Sequence, residues 1–115
     1  MDDAVVRMSV TWCVPASEAR SIAAALQGVM LRTRGEPGCA GCSISTELGE
    51  PVVIDYRETW DDEASLRRQI RSDRFSTLVE LIERATARPV IEFTVPGGAR
   101  GLDYARDVRA HLHGI

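Results

Sequence analysis

With 115 residues the chain has room for one domain and one core, and a hydrophobic fraction of 44% is enough to fill that core, which excludes a disordered chain. Lys and Arg number 14 against 17 Asp and Glu, a net charge of −3, which argues against a nucleic-acid partner because that normally demands a basic face. No apolar run approaches the ~18–20 residues that span a bilayer, and the acidic Met1-Asp2-Asp3 is unlike the basic start of a secretory signal. Cys13, Cys39 and Cys42 are too few, and odd in number, for a disulfide framework. The composition points to the cytoplasm.

Residues 5–14 alternate, with Val6, Met8, Val10 and Trp12 on one side and Arg7, Ser9, Thr11 and Cys13 on the other. That period of two predicts a strand with one buried face, closed by Pro15, which has no N–H for the ladder. A helix follows, with Ala19, Ile22, Ala23, Leu26 and Met30 in one stripe and Glu18, Arg20, Gln27 and Arg34 mostly elsewhere. Ser17 is the expected N-cap and Gly35-Glu36-Pro37-Gly38 the stop.

Two further strands are expected around a Gly49-Glu50-Pro51 turn. One carries Ala40, Cys42, Ile44, Thr46 and Leu48 on a shared face; the next carries Val52, Ile54, Tyr56, Glu58 and Trp60. Asp61 is placed to cap a helix that opens with Asp62 and Glu63, where negative charge suits the helix dipole. The helix breaks near Ser72-Asp73 and restarts with Phe75, Leu78, Val79, Ile82 and Ala85 as its apolar stripe. Pro89 precedes a last strand with Ile91, Phe93 and Val95 inward. Pro96-Gly97-Gly98 reads as a flexible joint, and Leu102, Ala105, Val108 and Leu112 outline an amphipathic tail helix.

The order β-α-β-β-α-β predicts an α+β ferredoxin-like fold, one antiparallel sheet with helices on one face, followed by a C-terminal helical tail. Residues 1–96 would form the main domain and 97–115 the Gly-rich joint and tail. The opposite sheet face, with Arg7, Ser9, Thr11, Ser43, Ser45, Glu47, Asp55, Arg57, Glu92 and Thr94, is polar.

Cys39-Ala40-Gly41-Cys42 has the spacing of a redox or zinc pair, but it opens a strand, where residues three apart diverge unless Gly41 allows a bulge. His111 and His113, two apart on a helix, point away from each other and lack a third ligand, so no metal site is expected. Arg67, Arg68, Arg71 and Arg74 form a basic cluster of the kind usually found on a solvated helix face. Trp12, Tyr56, Glu58 and Trp60 are more informative. All four are predicted on the covered sheet face, where a hydroxyl, an indole and a carboxylate need partners, and a ligand cavity is one way to supply them.

The segments Arg34-Gly35-Glu36-Pro37-Gly38-Cys39, Tyr56-Arg57-Glu58-Thr59-Trp60 and Ser72-Asp73-Arg74-Phe75 stand in the order and spacing of the antibiotic-biosynthesis-monooxygenase family, which residues 4–95 resemble. The resemblance implies a homodimer whose two sheets pack into an α/β barrel, with a small-molecule pocket in each subunit. It also implies oxygenation of a small aromatic, quinol or polyketide-like substrate by O₂ with no cofactor: a deprotonated phenol or anthrone is its own reductant, and the protein supplies a dry pocket, a proton acceptor and donors to the anion. On that basis Tyr56, Glu58 and Trp60 are the expected catalytic residues, and Trp12, Gln69 and Phe75 the expected substrate-binding ones. Two positions that hold histidine in many relatives are Gln69 and Arg74 here, and Val79 stands where the haem-degrading branch has its iron ligand, so haem degradation is not expected. The alternative from a different class is a non-catalytic dimeric binding or accessory module on the same scaffold.

Overall fold

Strict alternation builds the two central strands. In the computed structural model, which describes residues 6–113 with side chains to residue 110, β1 (Val6–Val14) and β3 (Val52–Trp60) pair antiparallel along their whole length, from Val6 opposite Trp60 to Val14 opposite Val52. Every second residue of each is buried and the intervening ones face outward. β2 (Cys39–Glu47) flanks β3, β4 (Val90–Val95) flanks β1, and a short β5 (Gly98–Arg100) extends the sheet beyond β4, giving the antiparallel order β2-β3-β1-β4-β5. The first four strands have the ferredoxin-like arrangement that the sequence predicts. The fifth is an addition: Pro96 and Gly97 make the turn into β5 in place of a loose joint.

The helices α1 (Ala16–Arg34), α2 (Glu63–Ile70), α3 (Asp73–Ile82) and α4 (Leu102–His113) contribute Ile22, Leu26, Val29, Leu66, Ile70, Leu78 and Val108 to the core that the inward strand residues fill. This is the hydrophobic layer that holds sheet and helices together. α4 enters it through Tyr104, Ala105 and Val108, while Leu102 is partly exposed. Tyr104 packs its ring 5.3 Å from that of Phe93, under the guanidinium groups of Arg67 and Arg100. His111, Leu112 and His113 lie outside the described side chains.

Three local expectations are corrected. Helix α1 starts at Ala16 with Pro15 as N-cap and no capping side chain from Ser17; the Ala16 N–H instead donates to Glu50 Oε1 at 3.0 Å, across from the β2–β3 turn. Asp62, not Asp61, caps α2, accepting from the Ser65 N–H at 2.8 Å. A bulge between Cys39 and Gly41 shifts the register of β2, so Ala40 is exposed and Cys39 packs against the core. The break between α2 and α3 is where the sequence puts it, with Ser72 capping α3.

Gly38 is held at φ +86°, and a Cβ there would sit 2.1 Å from Ser65 Oγ. Gly28, within α1, has open space around the equivalent position. Urea denaturation should therefore show Gly38→Ala losing about 2 kcal/mol or more through strain and overlap. Gly28→Ala should gain about 0.5–1 kcal/mol from helix propensity alone.

Candidate functional site

The inward face of β3 carries Tyr56, Glu58 and Trp60 in succession, because residues two apart in a strand share a face. All are buried, Glu58 to 1% exposure. A carboxylate so enclosed must be hydrogen-bonded or neutral, and here donors surround it. Glu58 Oε2 accepts from the Tyr56 hydroxyl at 2.6 Å and from Gln69 Nε2 at 3.1 Å, and Oε1 accepts from the Trp60 indole N–H at 3.0 Å.

The network runs further. Gln69 Nε2 also donates to Thr33 Oγ1 of α1 at 3.0 Å, and its Oε1 accepts from Arg74 Nε at 2.9 Å. Arg74 in turn pairs with Glu36 at 3.2 Å. On the other side the Cys42 thiol donates to the Tyr56 oxygen at 3.3 Å. The structure thus brings together Tyr56, Glu58, Trp60 and Gln69 of the sequence-predicted set. Trp12 lies six residues along β1 from Val6, the partner of Trp60, and its Nε1 is the one buried side-chain nitrogen or oxygen without a partner among the described residues. Phe75 is on α3 beneath the Arg109 guanidinium, 5.7 Å from the ring centre. Thr33, Cys42 and Arg74 were not among the expected site residues; Thr33, a polar residue three beyond Met30 on the buried stripe, is the one that the spacing signals.

Burial raises the Glu58 carboxyl above its ordinary range, against the pull of its three donors and of the Arg74 charge. Burial, reinforced by Glu58, also raises the Tyr56 hydroxyl, which stays a donor. Burial pushes the Cys42 thiol to about 12 and raises that of Cys39. The bulge does turn both cysteines toward the core, but these are protonated thiols, not the activated thiolate of a redox site. No described His, Cys, Asp and Glu group could hold a metal. Arg67, Arg68 and Arg74 are absorbed by Glu63, by Pro37 and Ser65, and by Gln69 with Glu36.

The hydrogen atoms of Tyr56 and Trp60 are both committed to Glu58, so neither is free for a ligand, and none of the principal cavities is lined by Tyr56, Glu58, Trp60 or Gln69. The largest of these cavities lies along the edge strand β2. It is a groove of about 900 Å³ between α1 and β2, floored by Ala19, Ala23, Met30, Ile44 and Val52, with Arg20, Gln27, Arg34, Ser45 and Thr46 along its walls. The hydrogen bond from Ala16 to Glu50 closes one end, and Arg34 Nε donating to the Cys42 carbonyl at 3.0 Å closes the other. Between them the alanines of α1 leave the helix and the edge strand apart.

No protein-family model matches the chain, and no curated protein does. Solved structures do. A structure described as an antibiotic biosynthesis monooxygenase superposes with a TM-score of 0.66 at 18% identity, over 76% of this chain and 94% of its own. A Nitrosomonas europaea protein provisionally given the same description reaches 0.70 at 10% identity, over 83% and 92%. A conserved protein from Methanosarcina mazei Go1 reaches 0.68 at 24% identity, over 78% and 90%. The fold is therefore of the antibiotic-biosynthesis-monooxygenase type, as the sequence segments imply.

Because the native state holds more protons at Glu58 than the unfolded chain, the contribution of Glu58 to stability is fully present below the ordinary Glu value of 4.5 and is lost as pH rises through the raised native value. Denaturant midpoints measured from pH 4 to 8 should show this fall, and Glu58→Gln should flatten it. Tyr56→Phe should cost about 1–3 kcal/mol, since Glu58 loses a donor and the Cys42 thiol its acceptor.

Proposed function

We propose that the protein is a small-molecule-binding domain of this fold, which takes an apolar or aromatic ligand in the groove between α1 and β2. The Glu58 network is the brace that fixes the strand behind it. One observation carries this reading. Trp12, Tyr56 and Trp60 are buried in the sheet–helix interior, and the largest of the principal cavities, with an apolar floor and polar walls, is the groove. Its volume is within the range of ligand sites.

A second reading, oxygenation of a small aromatic or quinol by O₂ without a cofactor, is favoured by the structural neighbours described as antibiotic biosynthesis monooxygenase and by a buried carboxylate able to take a proton. Such a reaction needs only a substrate that ionises to an electron-rich anion and a site that shields it from water. A homodimer formed through the polar outer sheet face accompanies either reading. Among the described residues no helix is long and apolar enough to cross a membrane.

Titration with 1-naphthol followed by fluorescence tests the location. Ala23→Trp, which fills the groove, should weaken binding at least about tenfold, and Trp60→Phe should leave it within about twofold. The reverse ranking would place the ligand beside Glu58. Oxygen uptake with quinols and anthrones, lost in Ala23→Trp, would add catalysis to binding.

A further inference from the structure

The groove has a charge pattern that its shape does not require. Its walls carry two arginines, Arg20 and Arg34, and no carboxylate, the Glu50 carboxylate at one end being engaged by the Ala16 N–H, although the chain as a whole is acidic at −3. Neither arginine has an ion-pair partner among the described residues. Four other arginines are held by carboxylates, Arg57 by Asp55, Arg67 by Glu63, Arg74 by Glu36 and Arg84 by Glu18; what distinguishes Arg20 and Arg34 is that both line one apolar-floored groove.

Arg34 is also positioned. Its Nε is spent on the Cys42 carbonyl, which fixes the plane of the guanidinium and leaves the two terminal nitrogens as a donor pair without an acceptor among the described residues. Arg20 stands fourteen residues earlier on α1, about 21 Å along the axis at 1.5 Å per residue. Between the two cations the groove offers Ala23, Ala24, Met30 and Ile44, a wall that can hold a flat or extended apolar body and makes no polar demand on it. Gln27, two helical turns from Arg20 and from Arg34, supplies one amide at mid-length.

We infer that the groove selects anionic amphipathic ligands: an elongated aromatic or aliphatic body bearing a carboxylate, sulfonate or phosphate that Arg34 binds through its terminal nitrogens, with Arg20 receiving a second or alternative acidic group. This rests on the groove being the ligand site. It adds a chemical class that apolar shape alone does not set, because a charge-assisted bond to guanidinium rewards the anion and gives a neutral ligand of the same shape nothing.

A matched pair of fluorescent probes separates the two statements: 8-anilinonaphthalene-1-sulfonate, which is anionic, and N-phenyl-1-naphthylamine, which has the same rings and no charge. The native protein should bind the sulfonate at least about tenfold more tightly. Arg34→Gln and Arg20→Gln should each weaken the sulfonate about five- to tenfold and leave the neutral probe unchanged. Added salt should weaken only the sulfonate. The Arg20 side chain makes no hydrogen bond among the described residues, so its variant reports on charge even if Arg34→Gln loosens β2. Equal affinity for the two probes, both lost in Ala23→Trp, would overturn the anion selectivity and keep the groove. Binding of both probes indifferent to Ala23→Trp would overturn the groove itself.

Discussion

The constraint on which this structure depends is the burial of one carboxylate. Glu58, at 1% exposure on the central part of the sheet, requires donors on every side, and the network that supplies them draws on five elements of the chain. Tyr56 and Trp60 come from its own strand and Gln69 from α2, with Thr33 of α1, Arg74 of α3 and Cys42 of the edge strand bonded behind them. Apolar contacts alone would let α1 and α2 settle on the sheet in several registers; a network in which each donor must meet an acceptor of the right kind permits far fewer. Leaving any of these buried groups unmatched costs about 1–3 kcal/mol, so the cluster fixes the helices at the same time as it seals the space beneath them.

Sealing has a functional consequence. The hydrogen atoms that would orient a substrate beside Trp60 are used internally, and the thiols and phenol nearby are held in their protonated forms. The proposed ligand site lies instead along the edge strand, where the alanine-rich flank of α1 does not fill the distance to β2. The Cys42 position joins the two regions, its thiol bonded to Tyr56 and its carbonyl to Arg34. The brace thus also holds the wall on which the proposed ligand would lie.

Much of this was legible from alternation and helical spacing. The nine-residue strands β1 and β3 could be assigned face by face, since a period of two over that length leaves no competing reading. The Ser72 restart was equally plain, because a cap and a new apolar stripe coincide there. What escaped the sequence depended on partners distant along the chain. The start of α1 is set by Glu50, 34 residues from the N–H it accepts, so no local cap announced it. The bulge at Gly41 exposes Ala40 through pairing with Trp60 and Thr59, which the pattern of β2 alone does not encode. The residues Tyr56, Glu58, Trp60 and Gln69 were legible as a group because they share a buried face. That they bond one another, and line none of the principal cavities, follows from side-chain geometry. The groove was invisible for the same reason: Ala19 and Ala23 read as core positions, and only the width of the gap beside them makes them a floor.

The account is tested most directly by a crystal structure of the protein with a small aromatic acid bound. It predicts ligand density between α1 and β2, against Ala23 and Ile44 and within hydrogen-bonding distance of Arg34, with the bonds of Glu58 to Tyr56, Trp60 and Gln69 unchanged. Density between the sheet and α2, with Tyr56 or Trp60 turned from Glu58 to the ligand, would contradict it.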